Sequence, residues 1–395
     1  MRGHKPGMRA APARRWIPAA PLALVLALVC PRAGRAEDWV ATRYEYYDEA
    51  GGRVNVRTLG LVASEDLGPA MQLGVTLLND AIAGASPNGI PAPAGSLQVP
   101  LAELTDHRKA WELDFSRQFA GTQVAVGVSE SREHDYVSRG WSVNTSSDFN
   151  TKNTILLVGV VGHSDDVETF FDPEHTYAGK EATNAIVGVR QVLDLLTTVA
   201  LNFTWGRETG YLDDQYKLVQ KTEELALGSL FPLAFAENRP GERNMGTALA
   251  SVNRAFPGLA GALEGSYRFY SDTFGVTSNT AELRWIQKLG KQVTLEPDLR
   301  FTRQDAARFY YYNLDDTDIT PTPIPNGNGP AYSSDYRLSS FDAVTYGLKV
   351  TWKPCAHVRL DLGYDRYAMR GVDGVTPQSA YPVANIMSAG ARISW

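Results

Sequence analysis

Alternation of apolar and polar residues over unusually long segments constrains this chain most. Val293, Leu295, Leu299 and Phe301 share one parity, and Thr294, Glu296, Asp298, Arg300 and Thr302 share the other. Val358, Leu360, Leu362 and Tyr364 alternate in the same way with Arg359, Asp361 and Asp365, and Trp111, Leu113 and Phe115 with Glu112, Asp114 and Ser116. A period of two marks a strand whose two faces meet different surroundings. Such segments begin near Trp39, Val54, Ala70, His107, Thr122, Ser138, Thr154, Thr183, Asp194, Asn244, Ala260, Val276, Gln292, Leu338, Val358 and Val383. Most run for about 9–14 residues, whereas globular strands average about 5–6 and a tilted bilayer-spanning strand needs about 9–11.

The connections alternate too. Short ones fall at 67–69, 120–121, 149–153, 256–258, 289–291 and 353–355, and longer ones at 81–106, 164–182, 207–243, 305–337 and 370–382. Short turns at one end and long loops at the other are the pattern of an outer-membrane barrel. The expected fold is all-β: a transmembrane antiparallel up-and-down β-barrel of about sixteen strands, with fourteen to eighteen compatible with the pattern. A soluble sandwich or propeller would explain neither the strand lengths nor the alternating loops.

The start of the chain reads as an export signal. Arg2, Lys5, Arg9, Arg14 and Arg15 precede an apolar run from Trp16 to Cys30, and small residues follow at Gly34 and Ala36. Residues 1–36 are therefore expected to be a secretory signal peptide, with the barrel over 37–395. Removing that segment takes away seven basic residues and leaves 31 basic against 44 acidic ones, which argues against a nucleic-acid partner. It leaves a single cysteine, Cys355, in an expected periplasmic turn, where a lone thiol is expected to be inert. Trp395 closes an alternating last strand and resembles the terminal aromatic signal read by the bacterial barrel-assembly machinery. Aromatic clusters (Tyr44, Tyr46 and Tyr47; Phe170 and Phe171; Phe309 to Tyr312) suit the two membrane interfaces.

Several blocks resemble a family of bacterial outer-membrane β-barrels catalogued as domain of unknown function 3570. They are Asn79-Asp80-Ala81-Ile82-Ala83-Gly84-Ala85-Ser86-Pro87, Gly210-Tyr211-Leu212-Asp213-Asp214-Gln215-Tyr216-Lys217 and Glu237-Asn238-Arg239-Pro240-Gly241-Glu242-Arg243. Two more are Tyr267-Arg268-Phe269-Tyr270-Ser271-Asp272-Thr273-Phe274-Gly275 and Ser334-Asp335-Tyr336-Arg337-Leu338-Ser339-Ser340-Phe341. Gln215 stands where the family pattern suggests Pro, and Gly241 where it suggests Asp. The resemblance implies a barrel in the outer membrane of a Gram-negative bacterium and implies no activity. Thioredoxin-like and flavin-transferase genes that accompany the family point to periplasmic redox partners as one alternative.

Parity assigns a set of charges to the lumen: Arg57, Glu112, Asp114, Glu264, Arg268, Glu282, Arg284, Glu296, Asp298, Arg300, Arg359, Asp361, Asp365 and Arg392. They predict a wet interior that selects small polar or ionic solutes, and equally a ladder of opposite charges that holds the wall together. The 207–243 loop is the candidate constriction, through Asp213, Asp214, Tyr216, Lys217, Arg239 and Arg243. Residues 217–230 are read as a short helix folding inward, with Arg239 and Arg243 pairing to Asp213, Asp214 or lumen carboxylates. His163, Asp165, Asp166, Glu168, Asp172, Glu174 and His175 form an acidic loop with no metal-ligand spacing, and Asp315, Asp316 and Asp318 read the same way. No metal site and no cofactor are expected.

A hydrolase would need a serine nucleophile and a base from His107, His134, His163, His175 or His357. No Gly-x-Ser-x-Gly elbow occurs, so no enzyme is expected. The expected surroundings are outer-membrane lipid, lipopolysaccharide and the assembly machinery. The leading function is porin-like passage of solutes, and the alternative is a plugged barrel that docks periplasmic or surface partners.

Overall fold

The computed structural model describes residues 38–170, 177–226 and 228–395. The expected signal peptide and Phe171, Asp172, Glu174 and His175 lie outside the described residues. The strands β1 (Trp39–Glu49), β2 (Asn55–Gly68), β3 (Met71–Pro87), β4 (Leu101–Phe119), β5 (Thr122–Arg132), β6 (Tyr136–Phe149), β7 (Thr154–Glu168), β8 (Tyr177–Asp194) and β9 (Thr197–Gly210) build the first part of a sheet. The hairpin β10 (Leu218–Ala226) and β11 (Ser229–Ala236) stands apart from it. β12 (Glu242–Phe256), β13 (Gly261–Asp272), β14 (Thr277–Leu289), β15 (Val293–Gln304), β16 (Phe341–Cys355), β17 (Val358–Gly371) and β18 (Val383–Ser394) complete it.

Every neighbouring pair is antiparallel, and β1 pairs β18 from Trp39↔Ser394 to Glu49↔Ala384, so the sixteen-stranded sheet closes on itself. Closure satisfies every edge hydrogen bond, a requirement for strands in lipid. The Trp395 amide donates to the Asp38 carbonyl (2.9 Å) and seals the end of that seam.

Register shows how the alternation is used. Tyr346 faces Leu299, which faces Leu283, and all three are about half exposed. Leu362 at 65% and Met387 at 51% continue the same outer face. A soluble protein rarely leaves so continuous an apolar surface uncovered; on a closed barrel it is the lipid-facing wall. The fully buried side chains lie elsewhere. Val219, Phe274, Leu314, Tyr332, Glu237, Asn238 and Asp335 all sit at the long-loop end. The burial profile is inside-out relative to a soluble domain: apolar outside, hollow and polar within, and densely packed only across one mouth.

Two expected loops are shorter than the sequence suggests. The connection placed at 81–106 is 88–100, and within that placed at 164–182 β7 runs on to Glu168 and β8 starts at Tyr177, because β3, β4, β7 and β8 extend to 17, 19, 15 and 18 residues. A bilayer needs about 9–11 residues, so these strands project beyond it. Their outer face there meets water, the hydropathy alternation fades, and polar runs such as His163 to Glu168 read as loop although they remain paired.

Candidate functional site

The short-turn end is open in the sense that its connections are too short to fold inward. One of the longer ones turns through Asn150, Thr151 and Lys152, all at left-handed φ values between 50° and 67°. The long-loop end is closed by a cap. Residues 211–218 leave β9 and pass the β5–β6 turn, where Gln215 Nε2 and the Tyr216 hydroxyl both donate to Asp135 Oδ2. They end at β3, where Lys217 Nζ donates to the Pro87 carbonyl (2.5 Å) and Leu218 N to the Asn88 carbonyl (2.7 Å). β9 and β3 are six places apart in a ring of sixteen, so the segment is a strap across the mouth. Extended chain advances about 3.3–3.6 Å per residue, long enough for that crossing.

Residues 305–340 form a second crossing. Leu314 N donates to the Gln220 carbonyl (2.8 Å), and Asn238 and Tyr332 exchange backbone hydrogen bonds of 3.0 Å. Three small apolar clusters hold the crossings together. One gathers Val219, Leu314 and Tyr332; another Phe274, Val276, Ala307, Phe309 and Leu338; the third Val99, Phe341, Met369 and Tyr381. Among the described residues of 217–230 there is no helix, against expectation. They supply β10 and the start of β11, because pairing with β11 lets Val219 bury fully beside Tyr332. Tertiary packing overrides the helical propensity of Glu223 to Ala226.

A buried ion network pins the cap. Arg239 Nε meets Glu237 Oε1 at 2.8 Å and its Nη2 meets Asp335 Oδ2 at 2.9 Å. Arg337 Nε donates to Asp335 Oδ1 (2.9 Å) and Oδ2 (2.8 Å), and its Nη2 reaches Asp214. Glu237 also accepts from Asp214 N and from Ser333 Oγ (both 2.5 Å), and Asp213 accepts from Arg239 N. Glu237 and Asp335 are each 1% exposed.

Burial pushes the Glu237 carboxyl up to about 7 and that of Asp213 up to about 6. Asp335 is equally buried, but Arg337 and Arg239 outweigh burial and hold it well below the usual carboxylate range. The two shifts act oppositely on stability. The closed cap keeps a proton on Glu237 that free chain has released, so closure weakens as pH rises from the ordinary carboxylate range through about 7. The Asp335 contribution is complete above the ordinary range and is lost only in strong acid. Proteolysis of the 211–241 region should therefore accelerate between pH 5 and pH 8, and Glu237→Gln should flatten that profile. A native profile already flat would contradict this.

Of the six expected constriction residues, Asp213, Asp214, Tyr216, Arg239 and Arg243 line one cavity of about 560 Å³. It lies between the strap and the wall of β5 to β9, with Glu133, Asp135, Tyr136 and Lys180 from the wall and Asp335 and Arg337 from the second crossing also lining it. Lys217 serves instead as the far anchor of the strap. The Arg239 guanidinium pairs with Glu237 and Asp335, its backbone amide alone reaching the Asp213 side chain, and Arg243 meets the wall carboxylate Asp272 (2.5 Å) while stacking 4.7 Å from the Phe274 ring centroid.

Below the cap, register places Glu112, Asp114, Glu264, Arg268, Glu282, Arg284, Glu296, Asp298, Arg300, Arg359, Asp361, Asp365 and Arg392 on the inner parity. Arg57 is a correction: it pairs Tyr46, stacks on that ring at 5.8 Å and shares the outer parity of Leu59. The tyrosine cluster of β1 obscured the parity there, and it also hid Arg43 and Glu45, which face inward 3.7 Å apart. Lys349, 2.7 Å from Glu296, is a further inward charge that sequence reading passed over.

Arg284 bridges Glu264 (3.4 Å) and Glu282 (3.2 Å), yet these three side chains remain 32–39% accessible. A packed interior would bury them, so the lumen is hollow and water-accessible. Asp298 and Asp365 lean from either side over Gly347, where an added Cβ would lie 1.9 Å from Asp365 Oδ1 and 3.1 Å from Asp298 Oδ1. Glu112 and Asp114 on β4 stand eight strands from β14, on the opposite wall. His163 and Asp165 lie in β7 rather than in a loop and pair at 3.0 Å.

A closed, lipid-faced, hollow barrel with a capped mouth defines an outer-membrane β-barrel protein. Within that class, the chain belongs to the family described as protein of unknown function DUF3570, which matches residues 21–379. No curated protein matches it. Among solved structures it is similar to the ferric enterobactin receptor of Pseudomonas aeruginosa (13% identity, 91% of this chain, 60% of that one, TM-score 0.44). It is also similar to OmpT of Vibrio cholerae (8%, 91% and 96%, TM-score 0.42) and a bacterial polysaccharide outer-membrane secretin (8%, 91% and 98%, TM-score 0.49). The chain spans 54–60% of the siderophore receptors it matches.

All five blocks that carry the family resemblance meet at the cap. Pro87 holds Lys217, Asp214 holds Arg337, Arg239 holds Asp335, and Arg243 holds Asp272. That grouping was the available signal for Glu237, Asp335 and Arg337, which sequence reading did not single out as site residues.

Proposed function

We propose that this protein is a narrow outer-membrane channel for small polar or ionic solutes. The cavity between strap and wall, lined by charges of both signs above an accessible charged lumen, carries the reading. A sixteen-stranded barrel encloses an aqueous channel unless loops fill it, and here the loops leave this off-centre space beside the wall. Solutes would be selected by size and by the field between facing charges, without energy input.

Selectivity tests the lumen. Arg284→Gln with Arg300→Gln leaves the neighbouring carboxylates unbalanced, and the reversal potential in a salt gradient should move towards cation preference. Asp298→Asn with Asp365→Asn should move it the other way. Conducting channels whose reversal potential ignores both pairs would place the ion path away from this wall.

A further inference from the structure

We infer that Asp106, His134 and Asp135 form a divalent-metal site that ties the β5–β6 turn to β4 beneath the strap. One ligand atom from each lies within 4.8 Å of the others. His134 Nδ1 is 3.3 Å from Asp106 Oδ1 and 3.8 Å from Asp135 Oδ1. Both aspartates are buried, at 7% and 4% exposure. Asp106 Oδ1 accepts the His107 amide (2.6 Å), but two buried carboxylates side by side still call for a counter-charge, and Arg108 of the same strand is engaged with Asp80 at 2.9 Å.

A separate observation points to an ion. The Gln215 amide lies against Asp135, its Nε2 2.5 Å from Oδ2, while its Oε1 is fully buried with no hydrogen-bond partner. A buried amide oxygen left unpaired beside carboxylates is unfavourable unless a cation draws on it. Two carboxylates and one imidazole make an N/O donor set without thiolate. The imidazole favours zinc or a neighbouring transition ion over calcium, which prefers all-oxygen shells.

The site also has a consequence for the cap. Asp135 is the seat of Gln215 and Tyr216, so a metal there fixes the middle of the strap. The inference does not depend on the channel reading, because its readouts are metal content and strap protection.

The test uses the refolded chain without an affinity tag, stripped with EDTA and equilibrated with zinc at pH 7.5 beside a calcium control. The native chain should retain one zinc, and His134→Ala and Asp106→Asn should each bind it at least tenfold more weakly. Zinc, unlike calcium, should slow proteolysis at 211–218, and heat-modifiable gel mobility verifies that each barrel has folded. Absence of stoichiometric zinc in the native chain would overturn the site. So would native-like zinc affinity in either variant, which would leave His134 as a proton-dependent partner of the two aspartates.

Discussion

Arg239→Ala should raise single-channel conductance several-fold while the barrel stays folded. The guanidinium is the hub between Glu237 and Asp335, both 1% exposed. Removing one partner of a buried pair costs up to roughly 3–5 kcal/mol where the other stays charged. Glu237, whose carboxyl burial already lifts to about 7, loses its guanidinium and can stay buried only with its proton, so the loss grows as pH rises. Arg337 still covers Asp335, so Glu237 bears the loss. Among the described residues the cap has three small apolar clusters to set against that penalty. The barrel wall, closed by sixteen antiparallel ladders, does not depend on it. Larger current steps and new protease cuts within 211–241, with unchanged heat-modifiable mobility, are the expected result. Unchanged steps together with an intact cap would show that the network is not what holds the mouth closed.

Gly89→Ala should produce a similar opening by a steric route. Gly89 has φ +93°, and a Cβ there would lie 2.3 Å from the Leu218 carbonyl oxygen and 2.4 Å from Ser334 Oγ. The first contact is strap backbone, which cannot rotate away as a side chain tip can. Leu218 and Ser334 belong to the two crossings, so one methyl group wedges both from the β3 wall. Gly95 is the natural control: its φ is +81° but nothing lies within 4 Å of its added Cβ. Gly95→Ala carries the backbone strain without the clash, a cost of order 1–3 kcal/mol confined to an exposed loop. Conductance raised in the first variant and native in the second is the expected pattern. Equal conductance in both would mean that the strap does not bear on Gly89.

The wall was legible in the sequence because lipid on one side and water on the other impose a period of two on every spanning segment. Leu299, Leu283 and Tyr346 fall on the outer face as their parity requires, and Glu296, Asp298 and Arg300 on the inner. Legibility failed where one of those two media was missing. Beyond the bilayer, Leu101 to Asp106 pairs with β3 but faces water outside, so it reads as loop. At Arg57, three nearby tyrosines supplied apolar signal on both parities of β1.

The cap is the larger gap. Its contacts include pairs 96 positions apart, such as Arg239 and Asp335, and 131 apart, such as Ser86 and Lys217, and no local period announces them. Charge and loop length did mark Asp213, Asp214, Tyr216, Arg239 and Arg243 as one group, and the cavity does gather them. The network partners Glu237, Asp335 and Arg337 stood in the same recognisable blocks, yet only the folded crossings show which carboxylate meets which guanidinium.

The most direct measurement is single-channel conductance of the refolded native chain in a planar bilayer, run beside Arg239→Ala. Small stable steps from the native chain that enlarge in the variant are predicted for a charged lumen throttled by its cap. Silence from both, with folding verified by heat-modifiable mobility, would contradict a channel and leave a sealed barrel whose capped face serves as a docking surface.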